Sequence, residues 1–221
     1  MYEEPFEGTL FNGLPINNKY PMSERYLESA HLVYRDALTR YSKILMFHVT
    51  LRLPLYYEGR CSGVMSAFIR SLKKRVERDL ARRRLKVERV HNTDVHYVWC
   101  REVSREYREH YHIMVMVNAN TYRALGCYTK TSNEHLAGMV TRSWASAIGM
   151  SIDDIRWLVH FTDDVGLIAT RQIPYTSVES TYGTFNNSFE AGFYWLSYLC
   201  KLITKEYGNG ARNFGYSQTC P

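Results

Sequence analysis

Apolar and polar positions alternate along this chain with two different periods, one typical of helices and one typical of strands. From Ser23 to Tyr41, and again over residues 62–85, apolar residues recur with the period of an amphipathic α-helix. The segment Lys43–Pro54 instead alternates polar and apolar residues, which is the period of a strand with one buried face. The first third of the chain is therefore predicted to contain a helix, a strand and a second helix.

A hairpin and one further strand are predicted from the pattern in the rest of the chain. Asp94–Val103 and His110–Asn118 are rich in β-branched and aromatic residues, and the polar stretch Ser104–Glu109 suits the connection between them. Ile155–Thr162 is another candidate strand.

Two more helices carry signals at their N-termini. Thr131 and Glu134 have the spacing of a capping box, which predicts a helix that runs to Ala147 and is stopped by Gly149. An asparagine and a glutamate with the same spacing open the last predicted helix, residues 187–206.

These elements are predicted to form a single domain, residues 23–221, behind an irregular N-terminal arm of residues 1–22. The arm contains several glycines and prolines and has little periodicity. The order α-β-α-β-β-α-β-α indicates an α+β fold with an antiparallel sheet. With 221 residues and 45% apolar composition, the chain is large enough to bury one sizeable core.

Charge and cysteine content narrow the class of protein. The formal net charge of +6 favours a polyanionic partner. The five cysteines are scattered and form no C-x-x-C pair, so they indicate neither a disulfide framework nor a cysteine-based zinc site. No signal peptide is recognisable, and no apolar run approaches the roughly 20 residues that span a bilayer. We therefore expect a cytoplasmic protein without a membrane partner.

The outer face of the second predicted helix is strongly basic. Two interpretations stay open: a solvated charged face, or a face that contacts the phosphates of a nucleic acid. The basic side chains on this face are Arg70, Lys73, Lys74, Arg75, Arg78, Arg82, Arg83 and Arg84.

The first candidate for chemistry is the sequence His110-Tyr111-His112 on a predicted strand. Residues two apart on a strand point to the same face, so both imidazoles can bind one divalent metal if an oxygen ligand completes the site. Glu102 ends the preceding strand, and the hairpin would bring it near the histidines. Glu109 is the alternative carboxylate, although it points the other way. A pair of exposed or hydrogen-bonded histidines without a metal is the plainer interpretation.

The second candidate lies on the last predicted helix, where tyrosines and lysines form a stripe separate from the apolar arc: Tyr194, Tyr198, Lys201 and Lys205. A phenol is a weak nucleophile at its ordinary pKa of about 10, and a neighbouring cation would stabilise the negative charge that develops on it. Tyr198 has a lysine three positions later and Tyr194 has a serine there, so Tyr198 ranks first. Alternatively, the tyrosines are boundary residues and the lysines only solubilise the helix.

Together and in this order, the motifs resemble those of the HUH endonucleases, and most closely the replication initiators of filamentous phages and their prophage relatives. The resemblance covers most of the chain from about residue 40 onward. Phe47–Arg52 is similar to the family's first strand motif, and residues 110–112 match its metal-binding His-bulky apolar-His motif. Tyr198 and Lys201 match its Y-x-x-K nucleophile motif, and Glu102 stands where many members place an acidic third ligand.

This resemblance implies a fold and a reaction. The fold would be a five-stranded antiparallel sheet with flanking helices, similar to an RNA-recognition motif. Since the patterns above predict four strands, the resemblance implies a fifth within Gly166–Val178. Tyr198 would attack single-stranded or hairpin DNA at a replication origin, leaving a 5′-phosphotyrosine and a free 3′-hydroxyl. His110, His112 and Glu102 would hold Mg²⁺ or Mn²⁺. Some initiators pass the strand between two tyrosines one helical turn apart, so Tyr194 is the candidate for a second nucleophile.

The resemblance also bears on partners. No G-x-x-x-x-G-K-[ST] sequence occurs in the chain, so we expect a separate host helicase to unwind the DNA and a separate polymerase to extend the 3′-hydroxyl. Two other classes of function stay open. A DNA-binding module or repressor on the same fold would need neither the histidines nor the tyrosines. A metallohydrolase would use only the histidine pair and would leave the tyrosine–lysine stripe without a role.

Overall fold

The computed structural model describes residues 3–219 except 56, 58, 60–62, 105–107, 129–130, 133, 163–165, 171–176 and 181–182. Within this part of the chain four α-helices occur: α1 (Glu24–Arg40), α2 (Val64–Arg84), α3 (Leu136–Ile148) and α4 (Ser188–Ser197). Turns of 3-10 helix lie at Arg156–Leu158 and Tyr198–Cys200. No helix in these described ranges is long and apolar enough to cross a membrane.

The main sheet is antiparallel and has six strands: β1 (Lys43–Arg52), β2 (His96–Val103), β3 (Glu109–Asn118), β4 (Val159–Phe161), β5 (Leu167–Thr170) and β6 (Phe214–Tyr216). β3 lies between β2 and β1, and β6 pairs with the outer edge of β2. β4 and β5 share the remaining edge of β1, β4 along residues 49–51 and β5 along residues 43–46. The six strands therefore occupy five positions across the sheet.

The predicted α+β architecture with an antiparallel sheet is confirmed at this level. The strand expected within Gly166–Val178 is β5, although residues 171–176 of that stretch lie outside the described residues, as do residues 105–107 of the predicted hairpin connection. The edge strand β6 was not predicted, because three residues are too few to show a period of two.

Helices cover both faces of the sheet, because successive side chains of a strand point to opposite sides. One core joins α2 and α3 to a sheet face that includes Phe47, Val49 and Ile113. The second core joins α1 and α4 to the opposite face, which includes Met46 and Met114. The domain is thus a sheet between two helical layers, each with its own core.

The start of α4 agrees with its sequence signal, whereas the start of α3 does not. Asn187 caps α4, and its side-chain oxygen accepts a hydrogen bond of 2.9 Å from the backbone N–H of Glu190. The capping box predicted at Thr131 is wrong, because α3 begins only at Leu136. The carboxylate of Glu134 instead pairs with the guanidinium of Arg82 on α2 at 3.2 Å.

The end of α3 agrees with the sequence. Gly149 follows the helix with a φ of 70°, a left-handed conformation that glycine adopts without strain. The strand predicted at Ile155–Thr162 is shorter than expected. Its first half forms the 3-10 turn Arg156–Leu158, and only Val159–Phe161 pairs with β1.

The last predicted helix, residues 187–206, is also shorter than expected, since α4 ends at Ser197 and is continued by one 3-10 turn. Lys201 has extended backbone angles and pairs with Met22 in an isolated β-bridge. Thr204 then takes a positive φ of 66°, which no helix accommodates. A distant segment therefore supplies the hydrogen bonds that would otherwise have prolonged the helix.

That distant segment is the N-terminal arm of residues 1–22. In the described part, its backbone is mainly irregular and contains short paired stretches, Pro5–Phe6 with Met22–Ser23 and Leu10–Phe11 with Leu14–Pro15. Ile16 is buried in the second core, together with other apolar side chains of the arm. The arm therefore packs against α1 and α4 and borders the candidate site.

Candidate active site

The pairing of β2 with β3 places the three predicted metal ligands on one face of the sheet. Glu102 lies directly opposite His110, and His112 lies opposite Cys100. Opposite residues of an antiparallel pair point to the same side, as do residues two apart along one strand. The three side chains therefore lie on the sheet face that α1 and α4 cover. They are at the end of this face where polar residues replace the apolar ones.

The ligand atoms of these side chains converge. Glu102 Oε2 lies 3.6 Å from His112 Nε2 and 3.9 Å from His110 Nε2. One ligand atom from each of the three residues lies within 4.8 Å of the others. Two imidazole nitrogens and one carboxylate oxygen on one side of an ion form a site that leaves coordination positions for substrate and water.

The second ring nitrogen of each histidine faces away from the cluster. His110 Nδ1 lies 3.4 Å from the carbonyl oxygen of Arg108, to which it can donate. His112 Nδ1 lies 3.1 Å from Thr50 Oγ1 and 3.1 Å from His48 Nε2. Metal-binding histidines are usually held in this way, with one nitrogen on an outer partner and the other free to bind the ion.

Burial keeps the neighbouring imidazoles neutral. It lowers the pKa of His48 to about 3, with the nearby His112 acting in the same direction. Burial also lowers the pKa of His110, and His112 again contributes. A neutral imidazole keeps a lone pair available, which a metal ligand requires.

Glu109, the alternative carboxylate, lies on the opposite face of β3 from the two histidines. Its Oε1 accepts a hydrogen bond of 2.6 Å from the guanidinium of Arg101, which is itself buried. Arg101 is further held by Asn209 and Asn213. Glu109 therefore belongs to a separate structural network.

Tyr198 and Lys201 join the cluster from the far side of the site. Lys201 Nζ donates a hydrogen bond of 2.7 Å to the phenolic oxygen of Tyr198 and lies 3.1 Å from Glu102 Oε2. The ring of Tyr198 meets that of His112 edge-on, with centroids 6.2 Å apart. The phenol, the ammonium and the carboxylate thus form a chain of direct contacts that ends at the histidines.

The groups around Glu102 and Lys201 determine whether these two side chains are ionised. Burial opposes ionisation of Glu102, but the nearby His112 and the charges of Lys201 and Lys205 outweigh it, so the pKa of Glu102 lies far below its usual range. Burial likewise opposes protonation of Lys201, yet its hydrogen bond to Tyr198 and the charge of Glu102 raise its pKa above the ordinary value. Both groups are therefore ionised at neutral pH.

Lys205 also lies near the carboxylate of Glu102, although its backbone is not in the helix that the sequence predicted. It was expected one helical turn beyond Lys201, but it lies past the end of α4 in irregular backbone. Its side chain is nevertheless covered, and Nζ lies 3.9 Å from Glu102 Oε1. Two lysines therefore face the carboxylate of Glu102.

Tyr194 lies one turn before Tyr198 and lines the same pocket, which has a volume of about 300 Å³. Its ring packs on Phe185 with centroids 4.9 Å apart. The pocket is lined by Asn17, His48, Thr50, His112, Met114, Thr162, Tyr194, Trp195, Tyr198 and Leu199. Both tyrosines proposed as nucleophiles therefore border one cavity beside His112.

Three residues of the site were not singled out from the sequence. His48 and Thr50 alternate on the polar face of β1, and this alternation was the signal that could have identified them. Thr50 lies opposite His112 and His48 lies opposite Met114, a register that depends on strand pairing. Asn17 gave no signal, because the arm reaches the site through tertiary contacts.

The fold and the site define a class: an α+β domain whose antiparallel sheet carries a Glu-His-His cluster facing a tyrosine–lysine pair. The chain belongs to the YagK/YfjJ C-terminal domain family, whose sequence model matches residues 7–217. The protein YagK of Escherichia coli strain K12 is 29% identical over 188 residues, which cover 81% of this chain and 85% of YagK. YfjJ of the same strain is 28% identical over 208 residues, which cover 87% of this chain and 93% of YfjJ. Both relatives are described as uncharacterized proteins, and no solved structure matches the chain.

Proposed function

We propose that this chain is a metal-dependent endonuclease of the HUH type, which nicks and rejoins single-stranded DNA through Tyr198 and starts rolling-circle replication of a phage or mobile element. One observation carries the proposal. The three candidate metal ligands and the Tyr198–Lys201 pair come from distant parts of the sequence, yet they meet at one carboxylate, Glu102.

The donor set of the cluster fits a divalent cation. Glu102, His110 and His112 would hold it, and the outer partners of both imidazoles fix the nitrogens that face the site. When bound, Mg²⁺ or Mn²⁺ would polarise the scissile phosphate and so favour attack at phosphorus. Binding of DNA alone would require none of these ligands.

The reaction would be a transesterification at phosphorus. The phenolic oxygen of Tyr198 forms a bond to phosphorus while the bond from phosphorus to the 3′-oxygen breaks. The phenol loses its proton to solvent, and the departing 3′-oxygen gains one. One phosphodiester replaces another, so the step is reversible and can rejoin strands without ATP.

Lys201 would stabilise this reaction by charge. Its raised pKa favours the protonated form, so its part would be that of a cation and not of a base. Its Nζ lies 2.7 Å from the phenolic oxygen, where an ammonium offsets the negative charge that develops as the phenol ionises. Lys205 adds a second positive charge near the same carboxylate.

The sheet is compatible with the fold that the resemblance implies. The HUH fold would have five antiparallel strands, and here six strands occupy five positions because β4 and β5 share one edge of β1. The strand with both histidines, β3, is internal, with β2 on one side and β1 on the other. Its ligands are therefore held by a rigid element, as a catalytic site requires.

The test is a search for a covalent adduct on single-stranded hairpin oligonucleotides, with Mn²⁺ or Mg²⁺ and with excess EDTA. A nick accompanied by a protein–DNA adduct that survives denaturation supports the proposal. Binding without cleavage would favour a DNA-binding module or repressor, and cleavage without an adduct would favour a metallohydrolase. Either result would contradict the proposed reaction.

A further inference from the structure

The pocket beside the candidate nucleophile contains a polar atom without a partner. Asn17 is 4% exposed and lines the pocket, and its side-chain oxygen Oδ1 makes no hydrogen bond. A buried carbonyl oxygen without a donor is destabilising, so such an atom usually accepts a hydrogen bond from a water molecule or a ligand. The neighbouring His48, Thr50 and Thr162 make this part of the lining polar.

The rest of the pocket is aromatic and apolar. Tyr194, Trp195 and Tyr198 contribute rings, and Met114 and Leu199 contribute aliphatic surface. A volume of about 300 Å³ is at the lower end of the range for small-ligand pockets and suits one planar heterocycle. Nucleobases stack on aromatic side chains and offer hydrogen-bonding edges, a combination that matches this lining.

The position of Asn17 is fixed by its backbone. Its N–H donates a hydrogen bond of 2.8 Å to Ser197 Oγ, and that hydroxyl donates one of 2.7 Å to the carbonyl oxygen of Tyr194. A few residues later, Pro21 accepts a hydrogen bond of 2.8 Å from the backbone N–H of Leu202. The N-terminal arm therefore holds the amide next to the tyrosines.

We propose that this pocket binds a nucleobase of the cleaved strand next to the scissile phosphate, and that Asn17 selects a base with an exocyclic amino group. The inference rests on the proposed function and deepens it by assigning a residue that sets sequence preference. An amide oxygen accepts from an amino group, and an amide that also donates matches adenine at two positions. Adenine and cytosine both have an amino group next to an acceptor ring nitrogen and thymine has no amino group, so we expect either of the two to bind in preference to thymine.

The binding test needs no cleavage. Short single-stranded oligodeoxyadenylate is compared with the same oligomer built from purine that lacks the 6-amino group, by fluorescence anisotropy. The wild-type protein should bind oligodeoxyadenylate about three- to tenfold more tightly, the ratio expected for one hydrogen bond. Equal affinity of the wild-type protein for the two oligomers would overturn the inference, whatever the variants do.

Variants of Asn17 then connect the preference to the pocket. Asn17→Leu keeps the branched shape of the side chain and removes the acceptor, so the two oligomers should bind equally. Asn17→Asp keeps an acceptor oxygen and should retain the preference for the amino-bearing base. Asn18→Leu is the matched control, because Asn18 is adjacent but exposed, and this variant should behave like the wild type.

The outcomes separate this inference from the nuclease proposal. If an adduct forms but Asn17→Leu keeps the wild-type preference, the pocket assignment is wrong and the nuclease stands. If no adduct forms but Asn17→Leu loses a preference that the wild type has, base binding stands and the nuclease fails. Thermal unfolding of each variant shows whether that variant is folded. If Asn17→Leu does not fold, the comparison of the two oligomers on the wild-type protein still tests the inference.

Discussion

At the scale of residues, His112 links the two halves of the site. One ring nitrogen faces Glu102, and the other faces Thr50 and His48 on the neighbouring strand. Local spacing in the sequence identified the histidine pair and the tyrosine with its lysine as candidates, and the family resemblance then suggested their roles. His48 and Thr50 were not identified as site residues: the alternation along β1 marks its polar face, but their position beside His112 depends on the register of β1 against β3.

Removal of the histidines should separate catalysis from binding. His110→Ala and His112→Ala should each slow nicking by about 100-fold or more, because each removes a metal ligand. DNA affinity should change little, since it depends mainly on phosphate contacts. Gel-based nicking and anisotropy measure the two effects, and full activity in excess EDTA would refute the metal assignment.

The two candidate carboxylates can be compared with matched substitutions. Glu102→Gln should weaken Mn²⁺ affinity by about 10- to 100-fold, because it removes a charged ligand from the cluster. Glu109→Gln should leave metal affinity near the wild-type value, since Glu109 faces Arg101 on the other side of the sheet. Calorimetric titration with Mn²⁺ gives both values. A larger loss in Glu109→Gln would mean that the wrong carboxylate was chosen.

At the scale of elements, the parts with a sustained period were the predictable ones. α1, α2, β1 and the β2–β3 hairpin all appear close to their expected places. The end of α4 was not predictable, since Lys201 leaves the helix to pair with Met22, a residue far away in sequence. The tyrosine–lysine contact survives this difference because the 3-10 turn still brings Lys201 Nζ to the phenol of Tyr198.

The position of α4 depends on a glycine. A Cβ at Gly192 would lie 2.4 Å from the hydroxyl oxygen of Tyr34 and 3.0 Å from Met46 Sδ. Tyr34 cannot easily move, because it is fully buried and donates a hydrogen bond of 2.9 Å to the carbonyl oxygen of Phe189. Gly192→Ala should therefore lower the free energy of unfolding by about 1–3 kcal/mol through overpacking. Urea denaturation measures this change.

A double-mutant cycle provides the control for this prediction. Tyr34→Phe removes the clashing oxygen, so Gly192→Ala should cost less in the Tyr34→Phe background than in the wild type. Equal costs in the two backgrounds would show that the hydroxyl of Tyr34 does not limit the approach of α4.

At the scale of the whole molecule, charge is separated from the candidate site. Residues 70–89 contain ten basic and three acidic residues, a net charge of +7, whereas the remaining 18 basic and 19 acidic residues give −1. Most of this segment belongs to α2, which packs on the sheet face opposite the histidine cluster. The proposed nuclease would therefore have a second, basic surface on which flanking DNA can lie.

Salt dependence tests this surface. DNA affinity should fall as salt rises, and reversing the charges of Lys73, Lys74 and Arg78 to glutamate should reduce the slope of log affinity against log salt by about two to three. All three side chains are exposed. An unchanged slope would mean that the basic face of α2 is only solvated.

The matched control reverses three exposed basic residues outside this segment, Lys19, Arg123 and Arg212. Both triple variants change the net charge by the same amount. Only the α2 variant should show the reduced slope, because a general electrostatic effect would reduce the slope equally in both variants.

The central claim is that Tyr198 is the nucleophile, and Tyr198→Phe tests it most directly. The substitution removes one oxygen from a half-buried ring, so packing should be preserved and any loss of activity is chemical. An oligonucleotide labelled 3′ of the nick is incubated with the protein, run on a denaturing gel, and the adduct is mapped by peptide analysis. Tyr198→Phe should abolish both the adduct and the nick, and Tyr194→Phe should leave the first nick intact. An adduct on Tyr194 of the wild-type protein, or one that persists in Tyr198→Phe, would contradict the account.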